Sequence, residues 1–363
     1  MSRVNNPKHN KKKKYKINKK RMATAIAVLV LVIFLVAKLI SSVGGGAAKK
    51  LTDEGLTHAE QFSDCIIVNG IDVSEHQGKI NWKKVKASGV DFVFIRAGYR
   101  GATEGDLYVD ETFSANVHGA KKAGLMVGAY YYSQATTTAE AEEEARAMLD
   151  IIKDYDMDLP VVIDYEIYPG GRLEQVIKSG NMNVTSMYHD IVLAFCAVVE
   201  DAGYDSGVYG NTDMFTHYMD ASLIDDETNL WVAEFGSSCS LNAGYRFWQC
   251  SESADVAGID TPVDHDILYL ESATSTPVWY YKTAGKRVSM SKCKVSLKKD
   301  TVRFKRKGSV VKATVTDLEG KRMREDMDYS INFVNNTSRG TGYAIVRGIN
   351  GYRDIIIAPY TIK

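Results

Sequence analysis

Leu159-Pro160-Val161-Val162-Ile163-Asp164-Tyr165-Glu166 decides the fold of this chain. Val161, Val162 and Ile163 are β-branched and apolar, which reads as a buried parallel strand. Side chains along a strand alternate faces with a period of two, so Asp164 and Glu166 point the same way with Tyr165 between them. Two carboxylates crowded at the end of a buried strand repel, and partial burial raises the pKa of at least one. The motif alone leaves two readings. One is a solvated or salt-bridged acid pair, because ion-pair networks perturb acids too. The other is a protonated acid beside an ionised one, the pairing that glycosidic bond cleavage uses.

Outward from that strand, apolar strand-like runs alternate with amphipathic helical runs between Cys65 and Leu270. Strands are expected over Ile66–Val73, Asp91–Ala97, Leu125–Tyr132 and the run ending at Glu166. Four more follow at Ser206–Gly210, Leu230–Phe235, Tyr245–Cys250 and Asp264–Leu270. Helices are expected over Trp82–Ser88, Phe113–Ala123 with Gly124 as its cap, Thr138–Tyr155, Thr185–Ala202 and, briefly, Asp213–Met219. Alternating β and α implies a parallel sheet. Eight strands in about 200 residues imply a closed barrel. The expected fold class is therefore α/β, an irregular TIM-like (β/α) barrel of eight strands with few late helices. An open doubly wound sheet would want a Gly-rich phosphate loop after its first strand, and Gly70-Ile71-Asp72-Val73-Ser74 is not one.

Chemistry in a parallel barrel sits at the C-terminal ends of the strands. Asp72 ends the first strand, Asp164 and Glu166 end the fourth, and Asp264 enters the last. Closure brings first and last strands together and makes Asp72 and Asp264 neighbours. Tyr130 and Tyr132 share one face of the third strand, Tyr131 the other. With Tyr165 and Trp231 they offer flat faces of the kind that stack on sugar rings. Core packing is the alternative for each aromatic taken singly.

The chain has 363 residues and a formal net charge of +0, so the total gives no reason to expect nucleic acid. The distribution is less even. A basic block from Lys8 to Arg21 precedes an apolar run from Met22 to Ile40, broken by Lys38. About 20 such residues span a bilayer. The pattern is a transmembrane anchor or a long signal peptide, and the small residues Gly44 to Ala48 leave cleavage open. The favoured division is a basic cytoplasmic segment (1–21), an anchor (22–43) and a stalk (44–64). The positive-inside rule puts all that follows outside the cell membrane. Five widely spaced cysteines are not a disulfide framework; Cys239 and Cys250 can pair outside the cell, without the sequence deciding it. No Cys-x-x-Cys or His cluster suggests zinc, and no metal or cofactor is expected. After the barrel (65–271) and a Ser/Thr/Pro linker (272–279), residues 280–363 read as a small all-β module. Its short runs Val310–Val315, Tyr329–Val334 and Tyr343–Val346 point to a sandwich.

The residues resemble glycoside hydrolase family 25, lysozymes of the Chalaropsis type. The likeness runs through Gly70-Ile71-Asp72-Val73-Ser74, Ile80-Asn81-Trp82 and Phe92-Val93-Phe94-Ile95-Arg96-Ala97-Gly98. It continues through Gly128-Ala129-Tyr130-Tyr131-Tyr132, Asp164-Tyr165-Glu166, Leu230-Trp231-Val232-Ala233, Phe247-Trp248-Gln249 and Val263-Asp264. It implies an irregular β/α barrel and hydrolysis of the β-1,4 bond between N-acetylmuramic acid and N-acetylglucosamine in peptidoglycan. Carried over by position, Glu166 is the general acid/base and Asp164 its partner. Asp72 and Asp264 complete the acidic cleft. The resemblance leaves open whether Asp164 attacks carbon or orients the substrate's acetamido group. Arg96 and Gln249, inside the matched motifs, join Tyr130, Tyr132, Tyr165 and Trp231 as expected substrate-binding residues. Two departures bear on subsites: Gly98-Tyr99-Arg100-Gly101 stands where many members carry Thr-Glu-Gly, and Asp266 where an Asn is common.

The C-terminal module resembles an immunoglobulin-like repeat of Gram-positive surface proteins, through Asp317-Leu318-Glu319-Gly320-Lys321 and Gly348-Ile349-Asn350-Gly351-Tyr352. The expected protein is thus a monomeric, membrane-anchored muramidase that remodels the wall, with glycan strands as partner. Two alternatives use the same residues. One is a wall-binding protein that keeps the barrel without useful turnover. The other is a metal-dependent hydrolase on Asp72, Asp164, Asp264 and His265.

Overall fold

The structure is a computed structural model that describes residues 50–180, 183–219, 224, 228–271 and 288–363. The expected anchor, the linker and residues 280–287 lie outside these. Among the described residues no helix is long and apolar enough to cross a membrane.

Nine strands form one sheet: β1 (Cys65–Val73), β2 (Phe92–Arg100), β3 (Leu107–Val109), β4 (Met126–Ser133), β5 (Val161–Tyr165), β6 (Ser206–Asn211), β7 (Asn229–Ala233), β8 (Phe247–Ala254) and β9 (Val263–Glu271). Eight of them close into a barrel through β1 and β2, whose register sets Gly70 beside Phe92. The short strand β3, absent from the sequence reading, pairs only with the end of β2. From β1 through β8 the neighbours are parallel. The last strand departs from expectation, because β9 runs antiparallel to both β8 and β1. Its connection, residues 255–262, is too short for a crossover, which takes a dozen residues or more.

Strand alternation divides the barrel into two cores. Ile66, Val68, Phe92, Phe94, Met126, Val162, Trp231, Phe247 and Leu268 fill the interior. Ile71, Val93, Ile95, Val127, Ile163, Val208 and Val232 face outward into the helix layer. Glycines make room for the interior rings. A Cβ on Gly70 would lie 2.3 Å from the Phe92 ring, and one on Gly128 would lie 2.4 Å from that of Phe94. Outside, Thr138–Ile152 presents Ala141, Ala145, Met148 and Ile152 at helical spacing, and Val184–Asp201 presents Met187, Tyr188, Ile191, Phe195 and Val199. The Thr137 hydroxyl accepts from Glu140 N–H and caps the first of these. A further helix, Arg172–Ser179, was not expected from the sequence.

Among the described residues no α-helix covers the outer face around β8 and β9, which presents Tyr245, Trp248 and Tyr269. Residues 50–64, read as the end of a stalk, lie there instead. Phe62 stacks on Tyr269 at 3.6 Å, and His58 Nδ1 meets the Tyr269 hydroxyl at 2.9 Å. The apolar face left by the missing helices thus recruits the chain that precedes the barrel. All five cysteines are free, Cys239 and Cys250 included.

In the C-terminal module, Tyr329–Val334, Gly340–Gly348, Ile355–Ile362 and Thr301–Val302 make a four-stranded sheet, flanked by two small two-stranded pairs. This is not a free-standing sandwich. Ile345, Ile355 and Ile357 on one face, with Val334, pack into the barrel interior beside Ile66, Met126, Leu159 and Leu270. Val346 on the other face packs on Met290, Val315 and Met323. The module therefore closes the N-terminal end of the barrel, opposite the strand ends that carry the acids. Polar ties surround the plug. Lys86 Nζ donates to Asp91 at 2.5 Å and to Phe333 O at 2.8 Å, while Asp91 accepts from Asn335 N–H. Arg347 pairs with Asp156 and Asp158.

Lys86 and Asp91 are both buried, so removing one partner strands a charge. Lys86→Met should lower unfolding stability by about 3–5 kcal/mol, and adding Asp91→Asn should recover part of it. Urea denaturation of the single and double variants measures both.

Candidate active site

Seven of the eight barrel strands, all but β7, carry a polar side chain on the interior face above the apolar plug. Asp72 (β1), Arg96 (β2), Tyr130 (β4), Asp164 (β5), Tyr209 (β6), Gln249 (β8) and Asp266 (β9) all continue the parity of the interior rings. Glu166 follows Asp164 by two residues and Asp264 precedes Asp266 by two, which puts both at the mouth, partly exposed. The four acids singled out from the sequence are close enough to repel one another. Asp72 feels Asp264 and Asp164, Asp164 feels Glu166 and Asp264, and Glu166 feels Asp264.

Burial is the main influence on each. It raises Asp72 and Asp164 well above the ordinary carboxyl range, with acid neighbours adding to the effect. Burial also raises Glu166, and pushes Asp264 up to about 6. Arg96 opposes the rise at Asp164. Its guanidinium is held by Asp110 at 2.9 Å and Glu75 at 3.0 Å.

Two residues outside the expected site set complete the network. Asp266 is fully buried. Trp231 Nε1 donates to its Oδ1 at 2.9 Å, while its Oδ2 receives no N–H or hydroxyl donor. Asp72 lies close enough for each acid to perturb the other, and burial raises both well above the ordinary carboxyl range. Asp72 accepts from Gln249 Nε2 at 2.8 Å, and Gln249 Oε1 accepts from the Tyr209 hydroxyl at 2.8 Å. Tyr209 lies beside Glu166 and opposes the rise in its pKa. Both residues lay within sequence signals, Tyr209 on an expected strand at interior parity and Asp266 two places beyond Asp264.

Several expected contacts fall elsewhere. Tyr165 does not line the cleft. The period of two turns it outward, where its hydroxyl donates to Ala135 O at 2.7 Å and its ring packs on Tyr188. Trp231 lies beneath the acids, stacked on Phe94 at 4.4 Å and only 2% exposed, so it positions Asp266 and offers no face to a sugar. Gln249 has both ends of its amide engaged within the protein. His265 faces away from the acids, bonded to Asn69 at 2.9 Å, and burial lowers its pKa to about 4. Tyr130 stands edge-on to Trp231. Tyr132 is partly exposed beside Asp164 and Glu166.

Fold and site define a carboxylate-centred β/α barrel. The chain belongs to the glycosyl hydrolases family 25, whose model matches residues 71–259. It is similar to the autolytic lysozyme of Clostridium acetobutylicum, 32% identical over 200 residues, 55% of this chain and 55% of that protein. Lysozyme M1 of Streptomyces globisporus is 32% identical over 208 residues, 55% of this chain and 67% of that protein. The chain spans about half the length of the first of these relatives. The solved spore cortex lytic enzyme SleM of Clostridium perfringens shares the fold at a TM-score of 0.50 and 16% identity, over 82% of this chain and 98% of that one.

Asp72 and Asp266 both have folded pKa values above the ordinary value of about 3.9. A raised pKa means the native state holds its proton better than the unfolded chain does. That stabilising contribution is complete at low pH and is lost as pH rises above about 4 through the folded value. Asp266→Asn removes one of the two groups while keeping Trp231 bonded. Its stability relative to the parent chain should therefore rise between about pH 5 and pH 8, read by urea denaturation. The infrared carbonyl stretch of a buried protonated acid should weaken in the same variant. Parallel stability curves with an unchanged band would contradict proton retention by this pair.

Proposed function

We propose that this chain is a muramidase that hydrolyses the β-1,4 bond between N-acetylmuramic acid and N-acetylglucosamine in peptidoglycan. The carrying observation is Glu166, partly exposed at the mouth of a cleft it shares with Asp164 and Asp264, where burial raises its pKa. The names of the similar lysozymes support the substrate class. Glu166 protonates the leaving oxygen and then, as carboxylate, takes a proton from the incoming water. Asp164 presents a buried Oδ1 with no hydrogen-bond partner to the same cleft. That oxygen accepts the substrate's acetamido N–H or attacks the anomeric carbon, and mass spectrometry of a trapped glycosyl-enzyme separates the two. Tyr132 is the residue placed to meet a sugar beside the acids. The N-terminal basic block and apolar run support a single-pass cell-membrane anchor with the barrel outside, and a tethered enzyme suits local wall remodelling.

Glu166→Gln should reduce the release of reducing ends from purified peptidoglycan by at least about 10²-fold. Asp164→Asn should show a loss of similar size, with thermal stability kept in both. Full activity of Glu166→Gln would sink the assignment, and mass spectra of the released fragments identify the bond cut.

A further inference from the structure

The net charge of zero conceals two opposed halves. Residues Cys65 to Glu271 contain 34 Asp and Glu against 13 Lys and Arg. Between Val288 and Thr316 there are nine Lys and Arg and a single acid, Asp300. All nine cations are exposed. None pairs with a carboxylate among the described residues, where the module's ion pairs are those of Arg324 and Arg347.

The fold gathers these charges. Lys298 and Lys312 face each other across a strand pair, joined by Lys298 N–H to Lys312 O at 2.8 Å. Lys305, Arg306 and Lys307 occupy a fixed turn. Lys305 N–H donates to Ser309 Oγ at 2.9 Å, and Gly308 N–H donates to Lys305 O at 3.0 Å. Ser309 is buried and its carbonyl accepts from the Tyr360 hydroxyl at 2.6 Å. Arg339 lies over the Phe304 ring at 5.6 Å, and Phe304 N–H bonds the carbonyl of the terminal Lys363. Three consecutive cations on a pinned turn, with Arg339 over the adjoining Phe304, present a surface already ordered before a partner arrives.

We propose that this surface binds a phosphodiester-linked anionic polymer of the cell wall, a partner that rests on the peptidoglycan reading above. Charge complementarity names the polyanion: Arg and Lys meet phosphate oxygens, and the acidic barrel repels the same polymer. Geometry supplies the use. The module is locked to the closed end of the barrel by a shared core, so a polymer held there leaves the acid-lined mouth free for glycan.

The test is a titration of the full-length chain, in neutral detergent, with soluble poly(glycerol phosphate) at several salt concentrations. Lys305→Glu/Arg306→Glu/Lys307→Glu should weaken binding at least fivefold. It should also lower the slope of log affinity against log salt by about two, as expected for three lost phosphate contacts. The neutral variant Lys305→Gln/Arg306→Gln/Lys307→Gln should fall between it and the parent. Reversal of Lys11, Lys12 and Lys13 in the N-terminal block should leave the triple variant's deficit in place. Hydrolysis of polymer-free peptidoglycan should be unchanged in all of them, which separates failure of this inference from failure of the muramidase reading. Undiminished polymer binding by the Glu variant overturns the proposal. So does binding to vesicles of anionic lipid with none to the polymer.

Discussion

The rings of Phe94, Trp231 and Phe247 fill the barrel beneath the acids, with Phe94 4.4 Å from Trp231 and 5.0 Å from Phe247. The carboxyl groups therefore rest on apolar surface where water would otherwise solvate them. A buried charge is costly unless it is paired, hydrogen-bonded or neutralised. The site uses all three remedies. Arg96 supplies a cation near Asp164, Gln249 gives Asp72 a neutral donor, and burial makes Asp72 and Asp266 hold protons more tightly than free carboxyls do. The same desolvation that makes the cluster expensive lets its acids hold protons to higher pH than ordinary carboxyls, as proton transfer to a sugar oxygen requires.

Strand direction decides which acids can meet. In an all-parallel barrel Asp264, at the start of its strand, would sit at the end opposite Asp72, Asp164 and Glu166. The reversal of β9 brings it to the mouth. It also sets Asp266 opposite Gly70 and Gln249, near Asp72 and within hydrogen-bond reach of Trp231 Nε1. A short hairpin connection thus does more for the site than any single side chain, because it converts a residue at a strand entry into one at a strand exit.

Period-two patterning is what made the barrel and the shared face of Asp164 and Glu166 legible in the sequence, since both are local consequences of the strand. The same rule, applied to Tyr165, turns that residue outward; its aromatic character alone suggested the cleft. Trp231 illustrates a different limit. Interior parity shows that it points into the barrel, but depth along the axis depends on the stagger between strands. That stagger puts it under the acids and not among them. The β9 reversal was legible only through the length of residues 255–262. The packing of residues 50–64 on Tyr245 and Tyr269 was not legible at all, because their pairing depends on a face left bare some 200 residues away.

The C-terminal module shows how composition can mark a boundary that packing does not respect. The shift to short, basic, alternating runs after residue 271 reads as a separate sandwich. Yet Ile345, Ile355 and Ile357 belong to the same core as Ile66 and Leu270. A small barrel with eroded helices has an open lower end, and those residues would face water without a cover. One sheet face supplies it, so the module is part of what keeps the barrel apolar below and desolvated above. The charge separation then has a mechanical meaning. A basic module on a flexible linker would act only as a tether. Locked to the barrel floor, it fixes the direction of the molecule's field relative to the cleft, with the positive end at the base and the acids at the mouth. A polyanion held by the module would leave the cleft, at the other end of the barrel, open to glycan.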